Sequence, residues 1–111
     1  MGDLLFISGQ AAIDRSGRIV GGGDFEAQAK QAFENLVRVL HAGGSSLRNV
    51  IKVTIFLTDM TNFDRIVKLR GQWFAAPYPA DTIVEVRSLY SPDAMIEIEA
   101  IAVADSAAEW E

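Results

Sequence analysis

The segment Val50-Ile51-Lys52-Val53-Thr54-Ile55-Phe56-Leu57 constrains this chain more than any other. β-branched and apolar side chains occur at both parities of the run. It therefore reads as a central strand buried on both faces. A helical pattern lies on each side of it. Phe25, Ala29, Ala32, Phe33, Leu36, Val37 and Leu40 recur at helical spacing, with Asp24 as N-cap and Gly43-Gly44 as the stop. Lys30, Glu34 and Arg38 fall on the opposite face, spaced for i,i+4 pairing. A second helix starts at a cap on Thr61 or Asn62, presents Phe63, Ile66, Val67, Trp73 and Phe74, and stops before Pro77 and Pro79.

The remaining strands are shorter. Leu4 to Ile7 is apolar and runs into Ser8-Gly9-Gln10, and Ala11 to Ile13 continues it past a bulge at Gly9. Asp14 to Gly17 is a turn, and Arg18 to Val20 reads as a short return strand. Gly21-Gly22-Gly23 is a flexible link; no Gly-Lys-Ser/Thr follows it, so it is not a phosphate loop. Thr82 to Val86 and Met95 to Val103 are the last strands, and residues 104–111 read as a frayed tail. The order β(β)-α-β-α-β-β predicts a single α+β domain over residues 1–111, with two helices packed on one face of a mixed sheet. One-striped helices leave the second sheet face wet in a monomer, which predicts self-association.

Composition narrows the function. With 50% hydrophobic and 23% charged residues in 111, the chain has the balance of one globular domain. No apolar run reaches membrane-spanning length and no secretory leader is visible, so the expected compartment is the cytoplasm, with no membrane partner. The formal charge is −5, and the ten basic residues are scattered from Arg15 to Arg87, which argues against a nucleic-acid surface. With no cysteine and one histidine, His41, a metal site or a Ser-His-Asp triad is not expected. His41 instead falls in the last helical turn, a structural position. Glu97 and Glu99 share a strand face with Ile101 and Val103, with Glu85 expected on a neighbouring strand. A carboxylate partly desolvated there can position a water, although the residues alone favour solvated outward positions.

Four blocks then carry a resemblance. Leu5-Phe6-Ile7-Ser8-Gly9-Gln10, the helix Gln28 to Leu40, Asn49 to Met60, and Ile96-Glu97-Ile98-Glu99-Ala100-Ile101-Ala102 occur in the order and near spacing of the Rid (YjgF, or endoribonuclease L-PSP) family. The chain resembles that family from Leu4 to about Val103. The resemblance implies a chorismate-mutase-like fold, a homotrimer with ligand clefts between subunits, no cofactor, and hydrolysis of reactive enamine or imine metabolites such as 2-aminoacrylate to 2-keto acids and ammonia. It places the water-positioning glutamate at Glu97 and substrate-holding main chain at Ser8 and Gly9.

The departures matter equally. The family's carboxylate-binding arginine follows a Pro-Ala pair; here Pro79-Ala80 is followed by Asp81. Ile83 stands where relatives often carry cysteine, and Val67 where they carry asparagine. The chain begins almost at its first strand, without the stretch that gives the family cleft a tyrosine. The resemblance therefore implies a cleft of Glu97, Ser8, Gly9, Asp81 and Ile83 that has lost its anion anchor, which leaves two catalytic readings open: a displaced cation from Arg87 or Arg70, or a neutral or cationic substrate with Asp81 as its partner. The alternative is a trimeric module that binds a small molecule without catalysis; an endoribonuclease ranks last.

Overall fold

The computed structural model describes residues 3–104. Four strands form one sheet: β1 (Leu4–Ala11), β2 (Val50–Leu57), β3 (Ala80–Glu85) and β4 (Ile96–Val103), in the spatial order β1-β4-β2-β3. β4 pairs antiparallel with β1 and β2, and β2 pairs parallel with β3. A parallel neighbour needs a crossover, and helix α2 (Phe63–Trp73) supplies it. Helix α1 (Phe25–Ala42) connects β1 to β2, and both helices cover the same sheet face. The arrangement is the expected α+β one: two helices on one face of a mixed sheet.

Alternation in β4 shows how the chain divides its sheet. Ile96, Ile98, Ala100 and Ala102 are buried under the helices, while Glu97, Glu99, Ile101 and Val103 point away. Phe33, Leu36 and Leu40 of α1 fill the space above them and are fully buried. The Phe33 ring stacks on Trp73 with centroids 5.3 Å apart and meets Phe74 edge-on at 6.1 Å. This aromatic trio joins α1 to the end of α2.

The helix caps follow the sequence. The Asp24 carboxylate accepts from the Ala27 amide, and Gly43 donates to the last carbonyls of α1. Gly44 takes a positive φ of 78°, the left-handed conformation glycine adopts without a Cβ penalty. Asn62 stands at the start of α2 but makes no side-chain cap. The cap there belongs to Asp59, which accepts from Thr61 in the preceding single turn of 3-10 helix, Met60–Asn62.

Four expectations need correction. β2 is buried on one face only: Val53, Ile55 and Leu57 are covered, whereas Lys52, Thr54 and Phe56 keep solvent contact and Ile51 is 48% exposed. Arg18 to Val20 forms no strand; Ile13 and Ile19 make one isolated bridge, flanked by the Asp14 amide donating to Arg18 and the Val20 amide donating to Ala12. Glu85 is not on a strand beside β4, since β2 lies between; its carboxylate instead accepts from the Met60 amide. Of the stripe assigned to α2, Ile66 is buried but Phe63 is 43% exposed. The tail expected from residue 104 lies outside the described residues except Ala104, which is buried and donates to the Asp3 carbonyl.

Two buried amides staple loops to α1. Gln28 accepts from the Met95 amide and donates to the Asp93 carbonyl, both at 2.8 Å. Asn35 donates to the carbonyls of Ala11 and Ile13. Gln28→Leu keeps the volume but leaves two part-buried backbone groups without their partner. Urea denaturation should show a loss of about 2 kcal/mol, the low end of about 1–3 per orphaned group, because both bonds are only part-buried.

Asp14 gathers the Ser16 hydroxyl and the amides of Arg18 and Ser16 on one carboxylate oxygen. These bonds, the hydroxyl's first, hold its carboxyl below the usual range. A depressed folded pKa adds stability that is complete above the ordinary carboxylate range and lost as pH falls through the folded value. Asp14→Ala should therefore lower stability at neutral pH and shrink the difference from wild type as acid is added, read by melting temperature against pH.

Candidate functional site

β1 passes β4 with a defect. Ile7 opposes Ala100, but Gln10 opposes Ile98, so one extra residue bulges from β1 at Ser8-Gly9. This is the bulge expected at Gly9. It lies beside Glu97, whose side chain leaves β4 on the uncovered sheet face. A Cβ built on Gly9 would collide with the Glu97 carboxylate and press on its Cγ at 2.7 Å. The glycine is therefore a requirement of contact: only a bare backbone lets the carboxyl group lie this close to β1. Phe56 sits opposite Glu97 on β2, so the carboxylate has a polar main chain on one side and a phenyl ring on the other.

The same face carries a shallow hollow of about 380 Å³ bordered by Phe6, Ser8, Lys52, Thr54, Glu99 and Ile101. Lys52 Nζ donates to Thr82 Oγ1 at 2.6 Å and so ties the face across to β3. Phe6 is 74% exposed here. Lys52 was not among the residues singled out from sequence, although a lysine in the middle of an apolar strand was its signal.

The other candidates lie on the opposite side. Asp81 is in register with Val53, a core-facing residue, and so points toward the helices. There it forms an ion pair with Arg70 of α2, the only one among the described residues. The pair borders a cavity of about 270 Å³ walled by Val67, Phe74, Tyr78 and Pro79. Ile83 does not line this cavity; it registers with Ile55 and packs against the core. Arg87 is exposed beyond the end of β3. His41 is exposed at the end of α1, and no group of acidic or histidine side chains that could hold a metal occurs among the described residues.

One chain thus gathers Ser8, Gly9 and Glu97 on the open face, and Asp81 with Arg70 on the covered side. It does not bring the two groups together, and it leaves Ile83 and Arg87 out of both. Tyr78 went unnoticed in the sequence because it stands in an irregular segment with no periodicity.

The comparisons agree with this architecture. The family model described as Endoribonuclease L-PSP matches residues 1–104. A RutC family protein of Pyrococcus horikoshii is 45% identical over 102 residues, covering 91% of this chain and 79% of the relative. The human 2-iminobutanoate/2-iminopropanoate deaminase is 38% identical over 100 residues, covering 89% and 72%. Among solved structures, RidA from the Antarctic bacterium Psychrobacter superposes with a TM-score of 0.85 at 35% identity, covering 93% of this chain and 82% of that one. Yeast Mmf1 gives 0.85 at 33%, covering 93% and 81%. The chain belongs to the endoribonuclease L-PSP family, the Rid or YjgF-like family.

The close approach at Gly9 has a direct test. Gly9→Ala should destabilise by about 1–3 kcal/mol through overpacking. Adding Glu97→Ala removes the colliding atoms and should recover most of that loss, so a double-mutant cycle by chemical denaturation should show strong coupling between the two positions.

Proposed function

We propose that this chain hydrolyses a small enamine or imine metabolite to a carbonyl compound and ammonia, in clefts formed between three copies. The observation that carries the reading is the Glu97 carboxylate lying against the Gly9 backbone on an uncovered sheet face. It occurs in a family whose human relative is named 2-iminobutanoate/2-iminopropanoate deaminase.

The chemistry needs one well-placed carboxylate. Water adds to the carbon of the C=N bond while Glu97 accepts one of its protons. The same carboxyl group returns that proton to nitrogen, giving a carbinolamine; it then carries the hydroxyl proton to nitrogen as well, so that the C–N bond breaks and ammonia leaves as C=O forms. No metal or redox group enters this balance. Phe56 beside the carboxylate limits its hydration, and the Ser8-Gly9 main chain offers polar groups to hold the substrate.

The trimer enters because one face is unfinished. Phe6, Phe56, Ile101 and Val103 share the uncovered side of the sheet with Glu97. An apolar face with catalytic groups on it fits a cleft completed by a second copy. Such an assembly would also bring the Asp81–Arg70 side of one copy toward the Glu97 face of another.

A second reading is favoured by Asp81 itself, an acid where the family's arginine is expected. It makes the chain a trimeric module that binds a small molecule without turnover. The nuclease implied by the family model's description has the least support here: the charge is −5 and the single histidine is an exposed helix-end residue.

Ammonia release from freshly generated 2-aminoacrylate tests the main reading. Wild type should exceed spontaneous hydrolysis, and Glu97→Gln should lose roughly 10²–10⁴-fold, the usual contribution of a positioned acid–base group. Binding without ammonia release establishes the second reading instead. Sedimentation should give a trimer that Phe6→Glu dissociates; a wild-type monomer overturns the shared-cleft mechanism.

A further inference from the structure

The Arg70–Asp81 pair has a property that neither residue has alone. Nη1 of Arg70 donates to Oδ2 of Asp81, and no other hydrogen bond to either side chain occurs among the described residues. Guanidinium carries five N–H donors in a fixed fork. Most of that fork, and the second carboxylate oxygen, therefore remain free. Each side chain is 28% exposed, so both are held at the cavity wall yet within reach of a ligand. The remaining wall is apolar, from Val67, Phe74 and Pro79, with the Tyr78 ring among them. A volume of about 270 Å³ suits a molecule of a few heavy atoms.

A lone arginine in such a cavity would select anions. A lone aspartate would select cations. The pair is neutral as a whole and strongly dipolar, so it attracts neither kind of monopole well. It matches a ligand with both charges on adjacent atoms, carboxylate toward Arg70 and cationic nitrogen toward Asp81.

We propose that the Arg70–Asp81 cavity recognises a small zwitterion, a carboxylate bearing a cationic nitrogen on the neighbouring carbon, and that Asp81 is the specificity residue for that nitrogen. The inference rests on the deaminase reading only for which zwitterion is consumed: a protonated 2-imino acid. Hydrolysis consumes one water, replaces the iminium by a carbonyl and releases the nitrogen as ammonium. The remaining 2-keto acid is a plain anion, with its carbonyl oxygen facing the Asp81 carboxylate. The pair thus holds substrate and disfavours product, and the reversed charge at position 81 becomes a device for product release.

The test uses stable ligands, so binding is read without turnover. L-2-Aminobutanoate carries both charges, 2-oxobutanoate the carboxylate alone, and butylamine the ammonium alone. Titration calorimetry of the intact chain at neutral pH should show the zwitterion bound at least about tenfold tighter than either partial ligand, the scale of one charged hydrogen bond. Asp81→Asn should raise affinity for 2-oxobutanoate and abolish the preference. Arg70→Gln should weaken both carboxylates about tenfold or more while leaving the melting temperature within a few degrees. A merely structural ion pair would lower stability without reversing ligand preference. Failure of wild type to bind the zwitterion, equal binding of zwitterion and keto acid, or a preference that survives Asp81→Asn overturns the proposal. The two ideas fail separately. Selective binding with no ammonia release sinks the deaminase and keeps the zwitterion site. Turnover with a KM indifferent to Arg70→Gln and Asp81→Asn keeps the deaminase and sinks the site.

Discussion

The rest of the molecule depends on the two-sidedness of β4. Its even positions are all apolar and disappear under α1 and α2, while its odd positions carry Glu97 and Glu99 as well as Ile101 and Val103. Period-two geometry allows no compromise between those sets, since a slip of one residue would bury both glutamates. Central placement makes the constraint global: β4 hydrogen-bonds to β1 on one side and β2 on the other, so its register fixes theirs. The glutamates end on the uncovered face because burying unpaired carboxylates beneath the helices would cost far more than the strand gains.

Within that frame the bulge at Ser8-Gly9 is a means of aiming. An unbroken β1–β4 ladder would put a side chain where the Glu97 carboxylate now lies. The extra residue lets β1 pass with bare backbone at that point, and strand pairing resumes at Gln10. The result is a carboxylate fixed by van der Waals contact and free to use its oxygens elsewhere. Rigidity of that kind favours a positioned base over a flexible surface glutamate, which would lose its orientation to rotamer entropy.

How much of this was legible in the chain differs by element. α1 was readable because Asp24, a helical apolar stripe and Gly43-Gly44 all agree, and the glycine bulge because Gly9 interrupts a strand beside a serine. Strand order was harder: Glu85 and Glu97 look like strand neighbours in sequence, and only the parallel pairing of β3 with β2 through the α2 crossover leaves β2 between them. The dual apolar faces of β2 were legible as residues and misleading as burial, since nothing in one chain says whether a wet face is covered by its own helices or by another copy. Gln28 and Asn35 escaped notice because a polar residue next to an apolar stripe shows its hydrogen bonds only after distant loops arrive. Ile83 was assigned to the cleft by position, but strand parity sends it into the core beside Ile55.

Asp81 joins these threads. By position it looks like a loss, an acid where a carboxylate anchor is expected. Parity turns it toward α2, where Arg70 stands within hydrogen-bonding reach. A cation thus stands beside position 81, on the helix that crosses over the edge strand. Such a placement alters what the cavity rewards. An arginine from a strand presents net positive charge; an arginine held by an aspartate presents a dipole, and a dipole discriminates by the spacing of charges within a ligand more than by their sum. Because both partners belong to the crossover unit β2-α2-β3, their separation is set by the packing of one helix on one edge strand. The geometry of the pair is then a property of a single chain's fold, set on the side of the sheet opposite Glu97.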